Sequence, residues 1–297
     1  MDATTLADTL HAEFGGSWSA QAMHASGFCG TWTAQDAGGI RLFVKTAPAA
    51  QAAMLHAEGE GLLALKASRA ITVPTVAAFN RSHEHCLLAL DWLDFAAPDS
   101  GFGQRLGERL SALHAAPQPR FGWGQDNFIG ATAQRNGWSA GAALTDWIVF
   151  WRDKRLLPMR QGLARKGVGQ VLLEEVDAVG DGLLAYYADG HQPRPSLIHG
   201  DLWSGNWAML TNGEPVIYDP AVSVSDAEAE LAMMELFGSP PTGFWGAYHA
   251  GFDLHQGYQR RRGLYQLYHL LNHTLLFGGA YAQQALRCAR ALRSAMC

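Results

Sequence analysis

The sequence predicts an α+β chain in two lobes, a small β-rich lobe first and a larger, mostly helical lobe after it. Two features carry that expectation. From Trp18 to Leu90 the text runs in short apolar stretches broken by glycine and proline, with a single helical stretch among them. Beyond Asp91-Trp92-Leu93, long Ala- and Leu-rich segments dominate. The boundaries read as residues 1–90 for an N-terminal lobe, 91–94 for a connector and 95–297 for the second lobe, and 297 residues suffice to bury a core in each.

Taken in order, a short helix is expected over residues 4–14, with Leu6 and Leu10 at helical spacing and Gly15-Gly16-Ser17 to end it. Strand-like runs fill residues 18–45, and Gly38-Gly39 suits a hairpin turn before Ile40-Arg41-Leu42-Phe43-Val44-Lys45. Residues 49–69 are rich in Ala, Leu and Glu without proline and read as one helix. Val73-Pro74 closes that unit, and strands follow at 76–79 and 86–90. Helices are expected over 102–114, 141–166, 169–187, 226–237, 258–277 and 280–296, interrupted by two β-like segments at 196–198 and 215–218. Arg260-Arg261-Arg262 reads as a solvated helix face.

A net charge of −5 gives no reason to bind nucleic acid or an anionic membrane. No apolar stretch approaches the roughly 20 residues of a membrane span. The opening Met1-Asp2-Ala3-Thr4 lacks a basic, then apolar, leader, so a cytoplasmic location is expected. Cys29, Cys86, Cys288 and Cys297 show no CxxC spacing, which speaks against a zinc site and for reduced thiols.

The chemistry concentrates in Leu197-Ile198-His199-Gly200-Asp201-Leu202-Trp203-Ser204-Gly205-Asn206, followed by Pro215-Val216-Ile217-Tyr218-Asp219-Pro220. An apolar strand leads into a polar loop, and a second strand ends on an acid. Asp201 and Asn206 stand five apart, the spacing of the catalytic loop of ATP-dependent kinases. Phosphoryl transfer from ATP needs a carboxylate to orient and deprotonate the acceptor hydroxyl, a role for Asp201. It also needs hard oxygen ligands on Mg²⁺ from separate segments, a role for Asn206 and Asp219. His199 is read as holding the loop by hydrogen bonds. In the N-terminal half, Lys45 ends a strand ahead of a helix carrying Glu58 and Glu60. Either acid can hold the lysine toward the nucleotide phosphates. Ser26-Gly27-Phe28-Cys29-Gly30-Thr31 stands where a phosphate-covering loop would, although a plain turn also explains its glycines.

With these residues assembled, the chain resembles the fructosamine kinase (ketosamine-3-kinase) family, a branch of the aminoglycoside-phosphotransferase-like kinases. The resemblance runs from about residue 28 to 279. It rests on His199 to Asn206, on Tyr218-Asp219-Pro220-Ala221, on residues 230–238 and on residues 265–273. It implies a bilobal protein-kinase-like fold and ATP with Mg²⁺ as cofactors. It makes Asp201 the proton acceptor, Asp91, Trp92 and Leu93 the adenine-facing hinge, and Lys45 with Glu58 the ATP-anchoring pair. Cys29, Gly30 and Thr31 fall in the phosphate loop. The substrates implied are ketosamines, free or protein-bound, whose phosphorylation leads to deglycation. Trp203, two residues from the base, offers an aromatic platform for a sugar or a cationic nitrogen, or simply packs the loop. Tyr265, Tyr268, His269, Asn272 and His273 share one helix, and His273 is taken as a substrate contact. Two departures, Val224-Ser225 and Glu230, are expected to lie away from the phosphate chemistry. A different acceptor, of the aminoglycoside or choline kind, and a catalytically inactive ATP-binding regulator are the competing readings. An accessible Cys29 thiolate is expected to make activity oxidation-sensitive, in a monomer or a redox-linked dimer.

Overall fold

The computed structural model describes residues 1–23 and 28–295, so Ser26 and Gly27 of the expected phosphate loop, and Cys297, lie outside the described residues. The first helix, α1 (Ala3–Phe14), starts where Asp2 Oδ1 accepts the Thr5 N–H at 2.8 Å. Five strands follow: β1 (Trp18–Ala22), β2 (Gly30–Asp36), β3 (Arg41–Pro48), β4 (Val76–Arg81) and β5 (His85–Asp91). They form one antiparallel sheet in the order β1-β2-β3-β5-β4. The Gly38-Gly39 turn joins β2 to β3 as expected, with Gly39 at φ 92°. Between β3 and β4 a 3₁₀ turn runs into α2 (Ala52–Ser68).

The side-chain alternation of β3 decides what each face carries. Leu42 and Val44 pack under Leu6 and Leu10 of α1, in a small core of their own. Ala47 joins the opposite, main core beneath α2, with Leu55, Leu62 and Leu88. Lys45 shares that parity and therefore points toward α2.

The remainder is mostly helical. β6 (Phe95–Ala96) pairs with β10 (Trp207–Leu210), which pairs in turn with β11 (Pro215–Ile217). α3 (Phe102–Ala115) and the hairpin β7 (Asn127–Ile129)/β8 (Thr132–Gln134) precede α4 (Leu144–Trp151), α5 (Leu157–Arg165) and α6 (Gln170–Asp181). β9 (Pro195–Ile198) pairs antiparallel with β12 (Ser223–Asp226). α7 (Ala227–Met234), α8 (Phe244–Gly251), α9 (Tyr258–Phe277) and α10 (Ala280–Ser294) complete the chain.

Three expectations need correction. The 141–166 helix is two α-segments joined by a π-helical turn at Arg152–Leu156. Pro158 sits at the start of α5, lacks an N–H and crowds the preceding turn, a local cause for the widened winding. Second, β6, β7, β8, β10, β12 and α8 were not expected at all. They are short, between two and eight residues, and β6 and β12 pair only with segments distant in sequence. Third, Arg261 is no solvated residue: it is 0% exposed, gripping Glu228 through Nε at 2.7 Å and Nη2 at 2.8 Å, with Asp189 on Nη1. Among the described residues no helix is long and apolar enough to cross a membrane.

Candidate active site

β9 delivers His199-Gly200-Asp201 into the cleft and β11 delivers Asp219, so two neighbouring strand ends build the polar centre. Gly200 is required by space. It has φ 86°, and a Cβ there would lie 2.2 Å from Ala221 O. His199 is buried and holds the loop as expected. Its Nε2 lies 2.8 Å from Tyr218 O, a pure acceptor, and its Nδ1 receives the Asp201 N–H at 3.2 Å. Those two partners fix the Nε2–H tautomer, and burial lowers the pKa of the ring, which keeps it neutral. Beyond Asp201 the chain folds back tightly: Asn206 Nδ2 donates to Asp201 O at 2.8 Å, and Asn206 N to Trp203 O at 2.9 Å. The Trp203 indole lies over Gly205, where a Cβ would come within 2.3 Å of the ring.

Asp201 is half-buried at the base of the cleft. Burial first, then the carboxylates of Glu230 and Asp219, hold its carboxyl well above the usual range. A carboxylate so destabilised is a stronger base than one in water, which suits proton abstraction from a hydroxyl.

Opposite it, Lys45 Nζ lies 2.7 Å from Glu58 Oε1 and 2.8 Å from Asp219 Oδ1. The contact with Glu58 is a charge contact rather than an aligned hydrogen bond, whereas the Asp219 contact is both. Glu58 therefore pairs with the lysine, and Glu60 is exposed. Burial alone would depress the Lys45 ammonium, but Glu58 and Asp219 outweigh it and raise its pKa. Asp219 adopts φ 60°, a left-handed backbone that a non-glycine residue holds only under constraint.

These side chains meet in one cavity of about 510 Å³ lined by Lys45, Glu58, Asp201, Asn206 and Asp219, with Cys29 and Thr31 on its upper wall. Gly30 lies between those two, opposite Thr46 in the β2–β3 ladder. A second cavity of about 410 Å³ is lined by Asp91, Trp92 and Leu93, and shares Tyr218 and Asp219 with the first. Phe95 stacks on Tyr218 there with ring centroids 5.6 Å apart. The N–H groups of Asp91 and Trp92 are committed to Thr75 O and Arg41 O, so among these three residues Leu93 has the N–H left for a nucleobase. A third cavity, of about 470 Å³, is lined by Asp201, Trp203, His273 and Phe277.

Asn206 and Asp219 fit a hard divalent cation. The Asn206 amide nitrogen is spent on Asp201 O, which leaves its oxygen as the ligand atom, and Asp219 has one carboxylate oxygen not bound to Lys45.

Two expectations about this region change. Cys29 is half-buried, and burial raises its thiol pKa, with Glu58 and Asp219 adding to the effect against Lys45. The thiol form is favoured, the reverse of the expected reactive thiolate. Glu230 does not lie away from the chemistry. Its two oxygens accept the N–H groups of His199 at 2.6 Å and Gly200 at 2.9 Å, directly beneath the catalytic loop. Burial opposes its charge, yet His114, His199 and the Gly200 N–H hold its carboxyl below the ordinary value. His114 Nε2 stands 3.8 Å away, an electrostatic contact too long for a hydrogen bond. The sequence signal was an acid in the first turn of a helix, a feature that many helices share.

The comparisons with known proteins agree with this fold. The fructosamine kinase family model matches residues 4–294. A probable ketoamine kinase of Synechocystis is 43% identical over 252 residues, which cover 82% of this chain and 80% of that protein. The chloroplastic protein-ribulosamine 3-kinase of Arabidopsis thaliana is 36% identical, covering 84% of this chain and 75% of that one. The crystal structure of a candidate fructosamine-3-kinase from Thermobifida fusca superposes with a TM-score of 0.85 at 31% identity, over 98% of this chain and 99% of that one. A family model over nearly the whole chain and a relative of 43% identity show that the chain belongs to the fructosamine kinase family.

Proposed function

We propose that this protein transfers the γ-phosphoryl group of ATP to a sugar hydroxyl of a ketosamine, with Asp201 as the general base. One observation carries the reading: Asp201 and Trp203 line both the cavity of Lys45, Asn206 and Asp219 and the cavity of His273. The base thus stands between a phosphate-binding side and an acceptor side. Asp201 takes the hydroxyl proton as the new O–P bond forms, the bond from the γ-phosphorus to the β,γ-bridging oxygen breaks, and ADP leaves. Lys45, steadied by Glu58, binds phosphate oxygens. Asn206 and Asp219 would hold Mg²⁺, whose charge neutralises the phosphates. Residues 91–94 form the hinge between lobes 1–90 and 95–297, with adenine against Leu93 in the cleft of Phe95 and Tyr218. The ketosamine acceptor is supported by the names of the relatives and by the aromatic acceptor side. Trp203 and His273 are its contacts there.

The experiment is a panel of ribulosamines, erythrulosamines and fructosamines with ATP and Mg²⁺, set against aminoglycosides and choline, with products located by mass spectrometry. Transfer to ketosamines, absent from Asp201→Asn, is the expected result. Transfer only to aminoglycosides or choline would refute the acceptor, and ATP binding without any transfer would favour a regulator.

A further inference from the structure

The acceptor cavity holds a feature that the transfer chemistry leaves unused. Asn272, on α9, is 3% exposed, and its Oδ1 has no partner, while its Nδ2 donates to Ile129 O at 3.4 Å. Buried acceptors are rarely left unpaired, so the amide oxygen calls for an N–H or O–H donor from the cavity. The same cavity has an aromatic wall. The His273 ring lies 4.8 Å from Phe237, 5.6 Å from Phe277 and 5.0 Å from Tyr281, centroid to centroid. Trp203 and Phe277 are 40% and 58% exposed at the opening, a concentration of apolar surface that marks a binding site. Among the described residues lining the cavity, Asp201 is the one acid, and no lysine or arginine lines it. Burial lowers the pKa of His273, so it adds no cation at neutral pH.

We propose that this cavity receives the amine end of the acceptor, as a protonated secondary amine that donates to Asn272 Oδ1. Its alkyl substituent lies among Phe237, Phe277 and Tyr281 and carries no carboxylate. The inference rests on the ketosamine reading and adds which ketosamines are chosen. Ring faces attract an ammonium. A carboxylate drawn in beside them would lose its water without gaining a cationic partner, and Asp201 would repel it. Adducts whose nitrogen carries an uncharged alkyl chain are therefore preferred over adducts that keep an acid group close to the nitrogen.

The test uses one sugar on three amines, butylamine, 4-aminobutanamide and 4-aminobutanoate, which share an alkylamine nitrogen and differ at the far end. The first two adducts should be phosphorylated with similar kcat/KM, and the carboxylate adduct about 10-fold or more below them. Asn272→Leu keeps the volume and removes the acceptor. It should lower kcat/KM for the butylamine adduct by about 10-fold, with KM for ATP unchanged. Phe277→Ala, at an exposed position where folding is not at stake, should raise KM for the butylamine adduct by several-fold. A carboxylate adduct as good as the amide, or both variants at wild-type kcat/KM, would overturn the inference and leave the ketosamine reading standing. Failure of all three adducts alongside every other ketosamine would remove that reading and the inference with it.

Discussion

Replacing Glu230 by Gln tests how the catalytic loop is held. The carboxylate offers one oxygen to each of two backbone donors, at 2.6 Å from His199 N and 2.9 Å from Gly200 N. Glutamine can offer an oxygen to one of them and must turn its own N–H₂ toward the other. One charge-assisted bond is lost, worth about 1.5–3 kcal/mol, and the survivor falls to neutral strength at a further cost of about 0.5–1 kcal/mol. Relief of the repulsion between Glu230 and Asp201 offsets part of this. The expected net loss is about 2–3 kcal/mol, or a Tm lower by about 3–5 °C for a chain of this size. The pH dependence has a definite sign. Glu230 has a depressed folded pKa, so its stabilisation is present above the ordinary carboxylate value near 4.5 and fades as pH falls through the folded value. The gap between wild type and variant should narrow in acid. A second readout follows from Asp201, whose pKa the charge of Glu230 helps to raise. Removing that charge lowers it and moves the acidic limb of kcat/KM to lower pH. Thermal melts from pH 2.5 to 8 and a pH–rate profile measure both. A Tm within about 1 °C of wild type together with an unmoved acidic limb would refute the reasoning.

Asp201→Asn should lower kcat by about 10²–10⁴-fold while ATP still binds. The same change should raise Tm at neutral pH: the elevated folded pKa makes ionised Asp201 a stability cost that grows as pH rises through that value and is absent below the unfolded value near 3.8. Melts at neutral and acid pH decide it. Asn206→Ala and Asp219→Ala should each shift the Mg²⁺ activation curve to higher concentration, and superimposable curves would place the cation elsewhere. Arg261→Leu should destabilise the helical lobe by about 3–5 kcal/mol in urea, because it strands the buried Glu228 carboxylate, which burial and Asp226 already push up to about 7. A loss below about 1 kcal/mol would show that the network relaxes without it.

The centre of the site was legible because its signals are local. Asp201, Asn206 and Asp219 lie within one strand–loop–strand unit, and their spacing is dictated by the geometry of that unit. The lysine–glutamate pair was legible, but the residues alone left Glu58 and Glu60 open, and the structure picks Glu58. That choice needs the helix phase, since Glu58 and Glu60 lie about 200° apart around α2 and one of them faces β3. Glu230 was misplaced because its partners are 31 and 30 residues away in sequence and join it only through the packing of α7 against β9. Arg261 was misread for the same reason, as three consecutive arginines carry no local mark of the buried acids that one of them meets. The missed strands run two to four residues, too short for alternation to register; β7 and β8 form a small local hairpin, while β6 and β12 exist by pairing with a distant segment.

The placement of Lys45 between Glu58 and Asp219 makes two ligands interdependent. The ammonium is a counter-ion shared by two acids, and one of them, Asp219, is a ligand of the proposed metal site. A divalent cation held by the free oxygen of Asp219 would weaken that carboxylate's hold on the lysine and leave the ammonium freer for a phosphate. A nucleotide that draws the ammonium away leaves Asp219 a bare anion and so a better metal ligand. Each event lowers the cost of the other, and thermodynamic reciprocity requires the two enhancements to be equal. With the proposed roles of Lys45 and Asp219, the cleft would favour the metal–nucleotide complex over either component, through a single shared lysine.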